Sequence, residues 1–220
     1  MPRVLAIADE VEPALWTDAV RRHSVDLILA AGDLPFDYLD YICDALGRPC
    51  VLVPGNHDPD LARYRNRRGV WFRDGMPARW PGPHDAINAD GRIVEAAGLR
   101  IAGLGGSVLY RHGPNQWSQG QQTRRAWRLR LRAALTGTKR VDVLLTHAPP
   151  RHCGDREDPA HQGFKCLHGL VRALQPTFLV HGHVHPYGSP VPDRRLGGTT
   201  TVVNVVGHRV LELGPVHHAA

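Results

Sequence analysis

Short apolar runs alternate with stretches of helical spacing along the chain, the pattern of an α/β protein built in layers. The strand candidates are Val4 to Ala8, Leu27 to Ala31, Cys50 to Val53, Ile93 to Ala96, Arg100 to Leu104, Val141 to Leu145, Phe178 to Val180, Thr200 to Val206 and Arg209 to Leu213. Helices are predicted over Pro13 to Arg22, Pro35 to Leu46, Gln121 to Leu135 and His161 to Leu174. Pro149-Pro150 and the stretch around Pro190 to Pro192 punctuate loops. No internal repeat or long low-complexity linker interrupts the alternation. One domain over residues 1–214 is expected, with a short C-terminal tail over 215–220. The segment from Asn66 to Asp90, rich in Arg, Pro and Gly with Trp71 and Trp80 among them, reads as an irregular connection in preference to an excursion covering a site.

Composition changes this picture little. A chain of 220 residues can bury roughly 70–75% of its unfolded surface without staples. Apolar residues at 42% and charged residues at 22% are ordinary for a globular protein. Cys43, Cys50, Cys153 and Cys166 have neither metal-binding spacing nor the look of a disulfide framework, so a reducing, cytoplasmic setting is expected. The apolar run after Met1-Pro2-Arg3 is too short for a signal segment, and none approaches the roughly 20 residues that span a bilayer. No membrane partner is expected. A net charge of +6 suits an anionic substrate, although Lys139 and Lys165 are the only lysines and an arginine bias can follow genome composition.

The informative residues sit where strands end. Asp9 follows the first run, Gly32-Asp33 the second and Gly55-Asn56-His57-Asp58 the third. Thr146-His147 closes Val141 to Leu145, and His181-Gly182-His183-Val184-His185 closes Phe178 to Val180. Polar residues at the carboxyl ends of neighbouring strands converge on one rim of an α/β sheet, where such folds bind ligands. Carboxylate, amide oxygen and imidazole together suit Mn, Fe or Zn better than Mg or Ca. A shared carboxylate can hold two cations roughly 3.5–4 Å apart and grip a phosphoryl group between them. Each piece alone has an ordinary reading as a turn or a satisfied histidine. The combination, in this order, does not.

Here the sequence resembles the calcineurin-like metallophosphoesterases. The matching pieces are Asp9, Gly32-Asp33, Gly55-Asn56-His57-Asp58, His147 and Gly182-His183-Val184-His185, in the family's order and over nearly the whole chain. The resemblance implies a two-sheet β-sandwich flanked by helices, a four-layer αββα arrangement holding two divalent transition-metal ions. Asp33 would bridge the ions, Asp9 and His185 would hold the first, and Asn56, His147 and His183 the second. His57 would steady or protonate the leaving oxygen, oriented by Asp58. The implied activity is hydrolysis of phosphodiesters, with phosphomonoesters as a second substrate class, by attack of a metal-bound hydroxide.

The first motif departs from the family pattern. Where Asp-x-His is expected, the chain reads Asp9-Glu10-Val11, and valine cannot ligate a metal. Three outcomes are open: a substitute ligand, a first ion held weakly with extra water, or a single-metal site. Glu10, His152 and His161 are the substitutes considered. Successive residues on an extended segment point oppositely, which counts against Glu10. His161 reads first as a cap or surface histidine.

Gly-Asp-x-x-Asp-Arg-Gly, the mark of the protein-phosphatase branch, is replaced by Gly32-Asp33-Leu34-Pro35-Phe36-Asp37-Tyr38. What remains resembles small bacterial phosphodiesterases. Arg111, His112 and His161 are candidates for contact with a phosphate ester, and Tyr110 or Trp117 for stacking on a base. Arg124, Arg125, Arg128, Arg130 and Arg132 are expected to form a solvated face over an apolar stripe of Trp127, Leu131 and Leu135; nucleic-acid binding there is the less favoured reading. The rival to an enzyme is a degenerate binding or scaffold protein, for which Val11 is the sole sequence support.

Overall fold

The computed structural model describes residues 1–188 and 191–213. The expected tail over 215–220 lies outside the described residues, as does Pro190. Two sheets dominate. The first orders its five strands as Gly207–Glu212, Arg3–Ala8, Leu27–Ala30, Cys50–Leu52 and Ala86–Asn88. Its first pair is antiparallel and the others are parallel. The second orders six strands as Arg194–Leu196, Thr200–Asn204, Phe178–His181, Val143–Thr146, Leu99–Leu104 and Ile93–Ala96, with antiparallel pairs at both edges.

Alternation along the strands divides the apolar residues into three buried layers. Val4, Ala6, Ala8, Leu27, Leu29 and Val51 face Ile101, Val143, Leu145, Val180 and Val203 in the space between the sheets. Their neighbours Leu5, Ile7, Ile28 and Leu52 turn outward, under helix α1 (Phe36–Leu46) with its Tyr38, Leu39 and Ile42. On the far side Ala102, Leu104, Leu144 and Leu179 meet α2 (Gln119–Leu135) and α3 (Cys166–Leu174). Helix, sheet, sheet and helix therefore stack as the four expected layers. Among the described residues no helix is long and apolar enough to cross a membrane.

Four local expectations need correction. Pro13 to Arg22 forms two 3-10 turns, Pro13–Trp16 and Asp18–Arg22, because Thr17 is extended and its Oγ1 caps the Ala19 amide at 3.2 Å. The helix expected from His161 begins only at Cys166, after a loop in which His161 Nδ1 meets Asp158 Oδ1 at 2.7 Å. Asn66 to Asp90 is not irregular throughout. Tyr64–Arg67, Val70–Arg73 and Met76–Pro77 make a small antiparallel sheet. Trp71 stacks on Trp80 at 4.2 Å, and Tyr64 meets Trp80 edge-on at 5.5 Å. Finally, Trp127, Leu131 and Leu135 face solvent, whereas Gln122, Ala126, Leu129 and Ala133 face the sheet. A helix crowded with arginine has two faces of helical period, and apolar size alone selects the wrong one.

That orientation predicts opposite outcomes two residues apart. Leu129→Ala should destabilise the fold by about 2–5 kcal/mol. Trp127→Gln, at a side chain 61% exposed, should stay within about 0.5 kcal/mol of the parent in urea denaturation.

Candidate metal centre

The parallel strands of both sheets end at one rim, and their exits bring the polar residues together. Ligand atoms of Asp9, Asp33, His147 and His183 all lie within 4.8 Å of one another. Three of the exits turn sharply through left-handed backbone, with φ of 62° at Asp9, 59° at Asp33 and 68° at His183. This region is uncommon for side chains other than glycine, and such residues cluster at functional sites.

Each group is held by a neighbour from another strand. The His183 amide donates to Asp9 Oδ2 at 2.8 Å, and the His57 amide donates to Asp33 Oδ1 at 2.7 Å. His147 Nδ1 donates to the Ala31 carbonyl at 2.7 Å. Its Nε2 then faces Asn56 Oδ1 at 3.1 Å and Asp33 Oδ2 at 3.2 Å. His183 spends Nε2 on the Ala160 carbonyl at 2.7 Å, which leaves Nδ1 for the cluster. Two of the motif glycines are required by proximity: a Cβ on Gly182 would lie 2.1 Å from Asp9 Oδ2, and one on Gly55 2.1 Å from Asp33 Oδ1. Both side chains need the space that glycine leaves.

The electrostatics favour a cation. Burial pushes the Asp9 carboxyl up to about 6, with the Asp33 charge adding to the rise. Burial alone would raise Asp33 too, but the charge and hydrogen bond of His147 outweigh it and hold Asp33 below its ordinary value. Burial opposes charge on His147, yet the Asp33 carboxylate beside it lifts the imidazole to about 9. Burial and the adjacent His147 pull His183 down to about 3, so its ring is neutral. In the metal-free protein the proton on His147 Nε2 thus stands between two oxygen acceptors, Asn56 Oδ1 and Asp33 Oδ2. A divalent transition metal fits the same donors and the same charge.

The remaining sequence candidates fall around this centre. Asn56 is buried and in contact with it; its Nδ2 also donates to Tyr110 Oη at 3.4 Å. His57 is exposed at the edge, lining an open cleft of about 460 Å³ with Asp33, Leu34, Phe36 and Pro81. Asp58 does not engage the His57 ring: its Oδ2 accepts the Gly55 and Asp33 amides at 2.7 and 3.0 Å, so it fixes the loop that carries His57. His185 stands outside the four-residue cluster, with Nδ1 at 2.8 Å from Glu10 Oε1. His161 lies 5.3 Å, ring to ring, from His183. Arg111 and His112 are exposed, and no side-chain hydrogen bond or ion pair joins either to the cluster among the described residues. His152 is exposed and faces Glu157.

Sequence reasoning missed Asn115, whose Nδ2 donates to the carbonyls of Gly55 and Asp58 at 2.9 and 3.0 Å and clamps their loop. It also missed Asp90, which accepts the Gly105 amide and pairs with Arg125, bracing the turn whose Gly106 amide binds the Pro54 carbonyl. Neither has a local signal, since each acts on backbone far away in sequence.

Convergence of carboxylates and imidazoles on the rim of a two-sheet sandwich defines a metallophosphoesterase-type fold. The profile of the calcineurin-like phosphoesterases matches residues 6–187, and the chain belongs to that family. No curated protein matches it. Two crystal structures share the fold. One is 16% identical with a TM-score of 0.62, over 97% of this chain and 100% of the other. The second, TT1561 of Thermus thermophilus, is 16% identical with a TM-score of 0.58, over 91% of this chain and 88% of its own.

Because His147 Nε2 must lose its proton to become a ligand, metal loading should release about one proton per chain at pH 7.5. The number should fall toward zero as the pH rises through about 9, where His147 is already neutral. Calorimetric titration of Mn into metal-free protein, in buffers of different ionisation enthalpy, measures it.

Proposed function

We propose that this protein is a metal-dependent phosphoesterase that hydrolyses phosphodiesters, with phosphomonoesters as a secondary substrate class. The observation that carries the reading is the meeting of Asp9, Asp33, His147 and His183 beside an exposed His57. In this reading Asp33, Asn56, His147 and His183 would hold one cation of Mn, Fe or Zn, and Asp33, Asp9 and His185 would hold a second. Bound cations supply charge against the phosphoryl oxygens and acidify a water. The chain's own residues do the rest. His57, tied to Asp33 through its amide, presents its ring to the cleft and hands a proton to the departing oxygen. Asp58 and Asn115 keep that loop in register. The cleft beside His57 receives the leaving group. His161 Nδ1 is occupied by Asp158, so Nε2 is the nitrogen offered to a phosphate oxygen. Arg111 and His112 are more distant candidates for the same role.

All four cysteines are free, which agrees with a reducing compartment, and we infer a cytoplasmic enzyme. Nucleic acid is not the favoured ligand.

The test strips the protein, reconstitutes it with Mn and follows hydrolysis of bis-p-nitrophenyl phosphate beside p-nitrophenyl phosphate. The diester should turn over faster. His57→Ala should lower kcat by about 10²–10⁴-fold with metal content unchanged. Absence of turnover with Mn, Fe and Zn alike would reject the proposal in favour of a binding protein.

A further inference from the structure

Val11 leaves the first half of the centre one ligand short, and Glu10 stands against His185, the other residue expected there. Extended backbone would direct Asp9 and Glu10 to opposite sides. The chain is not extended there. Asp9 adopts φ 62°, and the Glu10 amide turns back onto the Ala8 carbonyl at 2.6 Å. The turn breaks the alternation and swings Glu10 to the rim on which His185 lies. Glu10 Oε1 comes to 2.8 Å from His185 Nδ1. Val11 meanwhile packs against the apolar layer under α1.

We propose, resting on the phosphoesterase reading above, that Glu10 replaces the missing histidine as a ligand of the first cation. Three features support it. Asp9 gives Oδ2 to the His183 amide, and its Oδ1 accepts no hydrogen bond among the described residues. His185 stands outside the tight four-residue cluster and has Glu10 as its ring partner, so the two side chains already meet at one point. Both are partly exposed, Glu10 at 55% and His185 at 39% of their side chains, so packing locks neither in place. The result is an asymmetric pair of sites. One is rich in oxygen, with Asp9, Glu10, Asp33 and His185; the other combines Asp33 and Asn56 with two imidazoles. The oxygen-rich site favours the harder of two available cations.

The experiment is metal analysis with Mn electron paramagnetic resonance on reconstituted protein, using the parent, Glu10→Gln and the double variant Glu10→Gln/Val11→His. Two ions per chain are expected in the parent, with the exchange-coupled signal of a close pair. Glu10→Gln should keep one ion and weaken the other by at least about 10-fold, and should convert the signal to that of an isolated ion. Recovery of the second ion in the double variant would show that Glu10 occupies the histidine's role. Two tightly held ions in Glu10→Gln would overturn the inference, as would a single ion in the parent, and either result leaves the phosphoesterase reading standing. No ion bound to the parent would overturn both.

Discussion

Hydrogen bonds between the exit loops of the two sheets tie the rim together, and the rest of the rim depends on them. Asp9, leaving the first sheet, accepts the amide of His183 from the second. His147, leaving the second, donates to the Ala31 carbonyl of the first. These contacts require the two sheets to close to within touching distance at their carboxyl ends. Gly182 makes the approach sterically feasible, as does Gly55 within the first sheet. The apolar layer between the sheets, from Val4 to Val203, supplies the force that closes them.

Such closure has an electrostatic cost. Two carboxylates and two imidazoles are taken largely out of water, where unpaired charge is expensive. The metal-free protein resolves the conflict with protons: His147 holds one tightly, Asp9 titrates near 6, and His183 stays neutral. The centre is therefore built with a deficit of positive charge that a single proton only partly covers. A divalent cation would meet the deficit that packing these groups together creates.

Much of this is legible in the sequence, for identifiable reasons. Buried strands are short unbroken apolar runs, so every strand candidate corresponds to a strand of one of the two large sheets. The candidate ligand residues stand out because each closely follows one of those runs. Legibility fails where tertiary contact or an unusual dihedral decides the outcome. Extended backbone would discount Glu10, but Asp9 breaks the extension. Adjacency suggests Asp58 as a partner of the His57 ring, whereas its Oδ2 accepts two backbone amides of the neighbouring loops. Hydrophobicity points to the larger stripe on α2, yet the smaller Ala126, Leu129 and Ala133 fit the sheet more closely. The hairpin after Tyr64 is hidden because its strands are short, largely exposed and rich in arginine.

The hairpin also divides the labour within the molecule. It is fastened by the Trp71–Trp80 stack and by Trp80 Nε1 donating to the Pro83 carbonyl at 3.0 Å, and Pro81 forms part of the cleft wall beside His57. None of the hydrogen bonds described above that fix Asp9, Asp33, His147 or His183 passes through it. Insertions, deletions and substitutions in this stretch can therefore reshape the Pro81 side of the cleft while the cluster of Asp9, Asp33, His147 and His183 stays unchanged. One wall of the cleft can thus change shape without disturbing the loops that carry Asp33 and His57.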